Sequence, residues 1–304
     1  MRTAFRWIFR LFLLALLAVI LLIAHTLLFK PLKPDWFYER VFMEYGVDDP
    51  QMLSSMRMLP SWMDWYSDDL TDQSLAQERK MQDKLKKDLA TLQKYDRKGM
   101  NEADALNYDM LQYFLAIQAE GEKYAHHNYP LNQLFGIQNE FPTFMATQHP
   151  VESEADAENY LARLGKTPAM VDQVMEGLLV REREKIIPPT FVVEKVLKEM
   201  RAFTAADPKQ NILYSSLAEK LAKLDKGKIS EARQRELLAE TETAIRDKVY
   251  PAYAKFIAYY DQLLPKTTGN HGVWALPDGA AFYAHAVKMH TTTDMTPEQV
   301  HQLG

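Results

Sequence analysis

Cysteine is missing from all 304 residues, so no disulfide, thiolate metal ligand or thioether-linked lipid can hold or tether this chain. The 11 glycines form neither a phosphate-cradling loop nor a G-x-S-x-G elbow, which removes two chemistries that a short motif discloses. Histidine is scarce too. His25, His126, His127, His149, His271, His285, His290 and His301 are the complete set, and no two stand four apart beside a glutamate. That spacing puts two imidazoles and a general base on one helix face at a zinc ion. His126 and His127 are adjacent and diverge by about 100° on a helix, which predicts surface residues at a helix end. His285 and His290 are five apart and converge poorly, and His301 joins Asp294 only through tertiary folding. No catalytic residue and no metal ligand is assigned on this basis. Basic blocks are absent as well: at a net charge of −5, lysine and arginine are interleaved with acids, which excludes a nucleic-acid footprint. Neither repeats nor low-complexity linkers occur.

What is present begins with a long apolar run. Leu11 to Phe29 is apolar except for His25 and Thr26, and nineteen residues at a 1.5 Å rise reach about 28 Å, the thickness of a bilayer core. Arg2, Arg6 and Arg10 precede the run, whereas Lys30 and Lys33 after it are balanced by Asp35 and Glu39. The positive-inside rule then places the N-terminus in the cytoplasm. The exit, Ala-His-Thr-Leu-Leu-Phe-Lys-Pro, has no small-x-small cleavage site. The reading is a single-pass, uncleaved signal anchor: residues 1–30 form a basic cytoplasmic stub and a transmembrane helix in the inner (cytoplasmic) membrane. Residues 31–304 form a helical domain on the periplasmic or outer side.

The domain's text is helical. From Leu75 to Tyr95, Met81, Leu85, Leu89 and Leu92 recur at spacings of three and four, with Lys84, Lys86, Lys87 and Asp88 on the solvated faces. Asn101 caps a second helix whose core stripe reads Leu106, Met110, Phe114, Ile117. Ser153 and Asp156 start a third, Gly165 ends it, and Thr167-Pro168 opens another. Helices follow over Thr190 to Phe203, Asn211 to Leu224 and Ser230 to Leu264, the last kinked or divided near Tyr250 by Pro251. Tyr250, Tyr253, Phe256, Tyr259 and Tyr260 read as a packing face. Tyr129 to Pro150, with Pro130, Pro142 and Pro150, reads as an ordered loop. Asp48-Asp49 and Asp68-Asp69 read as turn or cap groups. Val273-Trp274-Ala275-Leu276 reads as a strand running into a Pro277-Asp278-Gly279 turn. The fold class is therefore mainly α, with a short strand-turn element near residues 272–279. Thr296-Pro297-Glu298-Gln299 is a strong helix start, five residues from the end, and predicts a packing surface downstream.

Six segments in order carry a resemblance: Pro130 to Gly136 (PLNQLFG), Ile187-Pro188-Pro189, Tyr250-Pro251-Ala252-Tyr253, Gly272 to Gly279 (GVWALPDG), His290 to Asp294 (HTTTD) and Thr296 to His301 (TPEQVH). From about Pro34 onward the chain resembles the N-terminal portion of the bacterial domain-of-unknown-function 885 family. The resemblance implies a gluzincin-type metallopeptidase fold, here incomplete, in which a later helix carries His-Glu-x-x-Pro-Gly-His. Zinc-activated water would then attack a peptide carbonyl, with the motif glutamate as general base. Those positions are not in this sequence, so zinc and peptidase activity are expected of a complete family member and not of this chain alone. What carries over is a peptide-facing region, with Trp274, Asp278, Tyr283, His290 and Thr292 as candidate substrate-binding residues. The same residues also read as core (Trp274, Tyr283) and helix caps (the threonines). A second functional reading is a non-enzymatic, membrane-anchored binding or scaffold module.

Overall fold

The computed structural model describes residues 2–57, 63–225 and 227–304, with side chains from residue 5 onward, so the Arg2 side chain used in the charge argument lies outside the described residues. The fold is mainly helical, and among the described residues there is no strand. The chain divides into two compact units, one built from residues 1–47 and 80–120, the other from 48–79 and 121–304.

The first unit contains α1 (Arg2–Leu28), α2 (Pro34–Val47), most of α4 (Leu75–Leu92) and α5 (Glu102–Glu120). Within α1, Phe5–Leu28 is long and apolar enough to cross a membrane and is uncovered by the rest of the protein. A small core forms where Phe37, Val41, Leu92, Tyr95, Tyr108 and Leu115 meet, with Leu85 and Leu89 against it. That agrees with the apolar stripe expected for α4. It disagrees for α5: Leu106, Met110 and Phe114 face outward, each more than half exposed, while Ala105, Tyr108 and Leu115 are buried. Only Ile117 of the expected stripe is covered. The helix is apolar on more than one side, and the face carrying Tyr108 is the one that meets Phe37 and Leu92. Asp88 departs as well, being 1% exposed rather than on a solvated face, because it sits beside Arg40 at 3.7 Å.

The second unit holds α3 (Pro50–Met56), α6 (Ile137–Thr147), α7 (Glu154–Arg183), α8 (Thr190–Ala205), α9 (Ile212–Ala222), α10 (Glu231–Ala244), α11 (Tyr250–Leu263), α12 (Gly279–Thr291) and α13 (Pro297–Leu303). Its core centres on α7, α8 and α11, where Tyr160, Leu164, Val171, Val193, Val196, Tyr253, Phe256 and Tyr260 are all buried. The aromatic series of α11 is thus the packing face expected of it. Ser153 and Asp156 form the capping box that starts α7. Asp49 caps α3 through Met52 N at 3.0 Å, and Asp69 accepts from Leu70 N at 3.0 Å.

Three local expectations give way and one takes a specific form. Gly165 does not end α7 and Thr167-Pro168 does not open a new helix; α7 runs unbroken through both. A continuous buried row from Ala157 through Leu164, Met170 and Val174 to Leu178 outweighs the donor that Pro168 removes. The proline-rich stretch after Tyr129 is a loop only to Gly136, after which α6 forms with Pro142 inside it. Pro142 leaves the Gln138 carbonyl without its helical donor, and Tyr253 Oη donates to that carbonyl at 2.9 Å. The division expected near Tyr250 is present: a π-helical turn, Ile245–Val249, closed by Tyr250 N to Ile245 O, separates α10 from α11, with Pro251 in the first turn of α11. Finally, Val273–Ala275 is a 3₁₀ turn, not a strand. With no neighbouring strand to pair with, its backbone bonds locally, Ala275 N to Gly272 O and Leu276 N to Val273 O, both at 3.0 Å.

Candidate functional site

The segment entering α12 is shaped by two glycines. Gly272 is overlain by the Trp274 ring: a Cβ there would come within 2.2 Å of the indole. At Gly279 a Cβ would meet the Val273 carbonyl oxygen at 2.0 Å. Between them, Gly279 N donates to Leu276 O at 3.0 Å with Asp278 in the left-handed region, φ 49°. The proline-Asp-Gly turn is therefore present, with proline second and a positive φ third, and it launches α12.

One side of α12 is docked. Phe282 packs 5.5 Å from the Tyr124 ring and 5.0 Å from His127, and His285 lies 5.6 Å from Tyr124. His127 Nε2 bonds the Pro277 carbonyl at 2.8 Å; a carbonyl only accepts, so Nε2 carries the proton. His126 Nδ1 meets Glu184 Oε2 at 2.7 Å, with Glu78 at 3.8 Å from its other nitrogen. The two histidines thus stand just past the 3₁₀ turn Gly121–Tyr124 that follows α5, at a helix end as expected, but are half-buried and bonded rather than free on the surface.

The other side of α12 is open. Of its thirteen residues only Gly279 is buried, although Ala280, Ala281, Phe282, Tyr283, Ala284, Ala286, Val287 and Met289 are all apolar or aromatic. Tyr283 is 47% exposed and Trp274 75%, so neither is core. Tyr283 and His290 are seven apart and share a helix face. Asp278 stands at the start of α12 and Thr292 at its end, the latter in the left-handed region with its N–H on Lys288 O at 3.0 Å. Among the described residues no hydrogen bond or ion pair joins any two of Trp274, Asp278, Tyr283, His290 and Thr292. They share one helix and its ends rather than converging on one point. Beyond them Thr296 and Gln299 complete the expected capping box of α13, a helix with no buried residue.

The most heavily bonded polar group was not legible in the sequence. Arg163, fully buried, donates to Asp69 O (2.8 Å), Ser54 Oγ (2.7 Å), Tyr66 O (3.3 Å) and Pro50 O (3.2 Å), and meets His149 Nδ1 at 2.6 Å. His149 Nε2 lies 2.9 Å from the Asp156 carbonyl, so Nε2 holds the proton and Nδ1 accepts from Arg163. Burial, and then Arg163, push the His149 pKa down to about 3. Burial pushes Arg163 to about 10 and Lys220, whose Nζ donates to Met145 O and His149 O at 2.7 Å each, to about 8. The contacts of this network all go to the fold, which makes it a fastener for Pro50, Ser54, Tyr66 and Asp69 rather than a reactive centre. Among the described residues no group of three or more His, Asp and Glu side chains is placed to hold a metal ion. The residues present do not fit a zinc site, and no step is derived through one.

Comparisons with known proteins agree with this helical architecture. No curated protein matches. Two solved structures share the fold over 88% of this chain. One is a candidate lipoprotein from Colwellia psychrerythraea, at a TM-score of 0.77 and 19% identity. The other is a candidate lipoprotein of unknown function from Shewanella oneidensis, at 0.61 and 14%. This chain spans 48% and 44% of their lengths, about half of each. A family model described as a bacterial protein of unknown function matches residues 50–304, starting somewhat later than the resemblance read from about Pro34. Since that match takes in most of the chain, the protein belongs to the bacterial family of unknown function DUF885.

Proposed function

We propose that this chain is a membrane-tethered helical module, with α1 in the inner membrane, the N-terminus in the cytoplasm and the body on the periplasmic side. We propose further that it supplies the peptide-facing front of a zinc-metallopeptidase-like protein. The observation that carries this reading is α12, an apolar helix docked along one side and open along the other. On the open side, Trp274 and Tyr283 offer aromatic surface to a peptide's side chains. His290 and Thr292 offer polar partners, and the Asp278 turn presents backbone. Zinc and the metal-bound water belong to the part of the fold that carries the His-Glu-x-x-Pro-Gly-His motif, and no residue of this chain is given a catalytic role. The solved structures are described as candidate lipoproteins, a class tethered through a lipidated cysteine. This chain has no cysteine and reaches the same kind of tethering through α1. A non-enzymatic binding or scaffold module is the second reading, favoured by the same open face.

Zinc separates the two readings. The purified 304-residue chain is expected to hold only trace zinc by plasma mass spectrometry and to leave fluorogenic peptides intact. Reading the gene past codon 304 is expected to reveal the zinc motif. Tight one-to-one zinc binding by this chain would overturn the assignment of the metal to another segment. A native terminator with no motif nearby would favour the binding module.

A further inference from the structure

The end of α1 is built into its unit at one place. Arg40, 6% exposed, donates to Phe29 O at 2.8 Å and Thr26 O at 3.2 Å, carbonyls at a helix end that lack helical donors. Lys30 Nζ donates to Lys94 O at 3.0 Å and lies 4.4 Å from the Tyr95 ring centre. Tyr95 in turn donates its hydroxyl to Pro31 O at 2.7 Å. These bonds hold the turn after α4, residues 93–98, against the point where the apolar run ends.

The charge at this junction is unevenly compensated. Arg97 is taken by Asp109, Nε to Oδ1 at 2.7 Å, and Asp96 turns its carboxylate on Lys98 N at 3.1 Å. Asp35 and Glu39 on α2 offset part of the positive charge. Lys33, Lys94 and Lys98 are exposed, as are Phe29 and Leu32 beside them, and Lys33 Nζ stands 5.8 Å from the Trp36 ring centre. A tryptophan with a lysine beside it where an apolar helix ends is the composition of a membrane-interface belt. The contrast with the rest of the chain is marked. Without Arg2, Arg6 and Arg10, which precede the apolar run on its other side, residues 1–47 and 80–120 carry ten basic and ten acidic residues, whereas the remainder carries 23 against 31.

We propose that Lys33, Lys94 and Lys98, with Trp36 and Leu32, form a headgroup-level collar that binds anionic phospholipid in the leaflet from which α1 emerges. The proposal rests on the reading of α1 as a membrane anchor. The ammonium groups meet the phosphodiester of a net-negative headgroup, while Trp36 and Leu32 lie at the acyl boundary. Each lysine near an anionic surface contributes about fivefold in partition, so the collar discriminates by charge and not by headgroup shape.

The test uses the full chain purified in detergent, with phosphatidylglycerol or phosphatidylcholine added, and native mass spectrometry to count retained lipid. Phosphatidylglycerol is expected to be retained in preference, and the Lys94→Glu/Lys98→Glu double variant to lose that preference by about tenfold or more with an unchanged circular dichroism melt. If that variant fails to fold, Lys33→Glu on the other segment gives the same readout, and Lys223→Glu, far along the chain, is the control that leaves the preference intact. Equal retention of the two lipids, or an unchanged preference in a folded variant, would overturn the proposal. Carbonate extraction of membranes separates this from the anchor itself: a chain that washes off refutes the anchor and the collar together, and one that stays without lipid preference refutes the collar alone.

Discussion

Two buried titratable residues give the units opposite responses to acid. His149 has a folded pKa of about 3, below the ordinary histidine value of about 6.5. Between those values the unfolded chain binds the extra proton, so its contribution is fully present above about 6.5 and is lost as pH falls towards 3. Asp88 runs the other way. Burial, followed by Glu44, raises it to about 6, against the opposing pull of Arg40, Lys84 and Lys87. Its folded form holds the proton more tightly than the unfolded chain, so stability rises as pH falls from above 6 towards 4. Each contributes up to about 1.4 kcal/mol per pH unit inside its window. Hydrogen exchange read by segment at pH 7.5 and 5 is expected to show protection falling around α7 and rising in α2 and α4, with Asp88→Asn abolishing the rise. Equal changes in both regions would refute these assignments. Neither residue announced itself in the sequence: a lone histidine and one acid among lysines look like surface until Arg163 and Arg40 are found beside them.

At the scale of elements, helices were legible and their interruptions only partly so. Apolar spacing and capping residues located the helices from α4 to α11 apart from α6, because those signals are local. Prolines misled where what decides their effect is distant. Pro142 is tolerated inside α6 since Tyr253, 111 positions on, supplies the missing donor, whereas Pro251, whose effect is local, divides its helix where expected. Tyr253→Phe is expected to cost about 1–3 kcal/mol by leaving the buried Gln138 carbonyl unpaired. In a Pro142→Ala background, which restores a backbone N–H at that carbonyl, the same change should cost clearly less. Urea denaturation of the four proteins in this cycle measures the coupling, and additive effects would contradict the explanation. The α5 stripe failed for a related reason: periodicity finds an apolar face but not which of two faces meets a partner.

For the whole molecule, the long apolar N-terminal helix, the helical class and the family were all readable from the chain, the last from six short segments in order. The candidate site was only partly so. The sequence placed Trp274, Asp278, Tyr283, His290 and Thr292 near one another along the chain, but a strand was expected where a 3₁₀ turn occurs, and the open helix that follows it was not foreseen. Exposure of that helix is a property of what packs on it, which no local motif encodes. The absence of cysteine makes the central claim, an outward-facing body with an uncovered α12, directly measurable. Single cysteines at Phe5, Tyr283 and Leu178 can be probed with a membrane-impermeant maleimide on spheroplasts. Rapid labelling of Tyr283→Cys is expected in intact spheroplasts, with Phe5→Cys labelled only after permeabilisation and the buried Leu178→Cys only after denaturation. A Tyr283→Cys chain that stays unlabelled until the membrane is opened or the protein unfolded would contradict that claim.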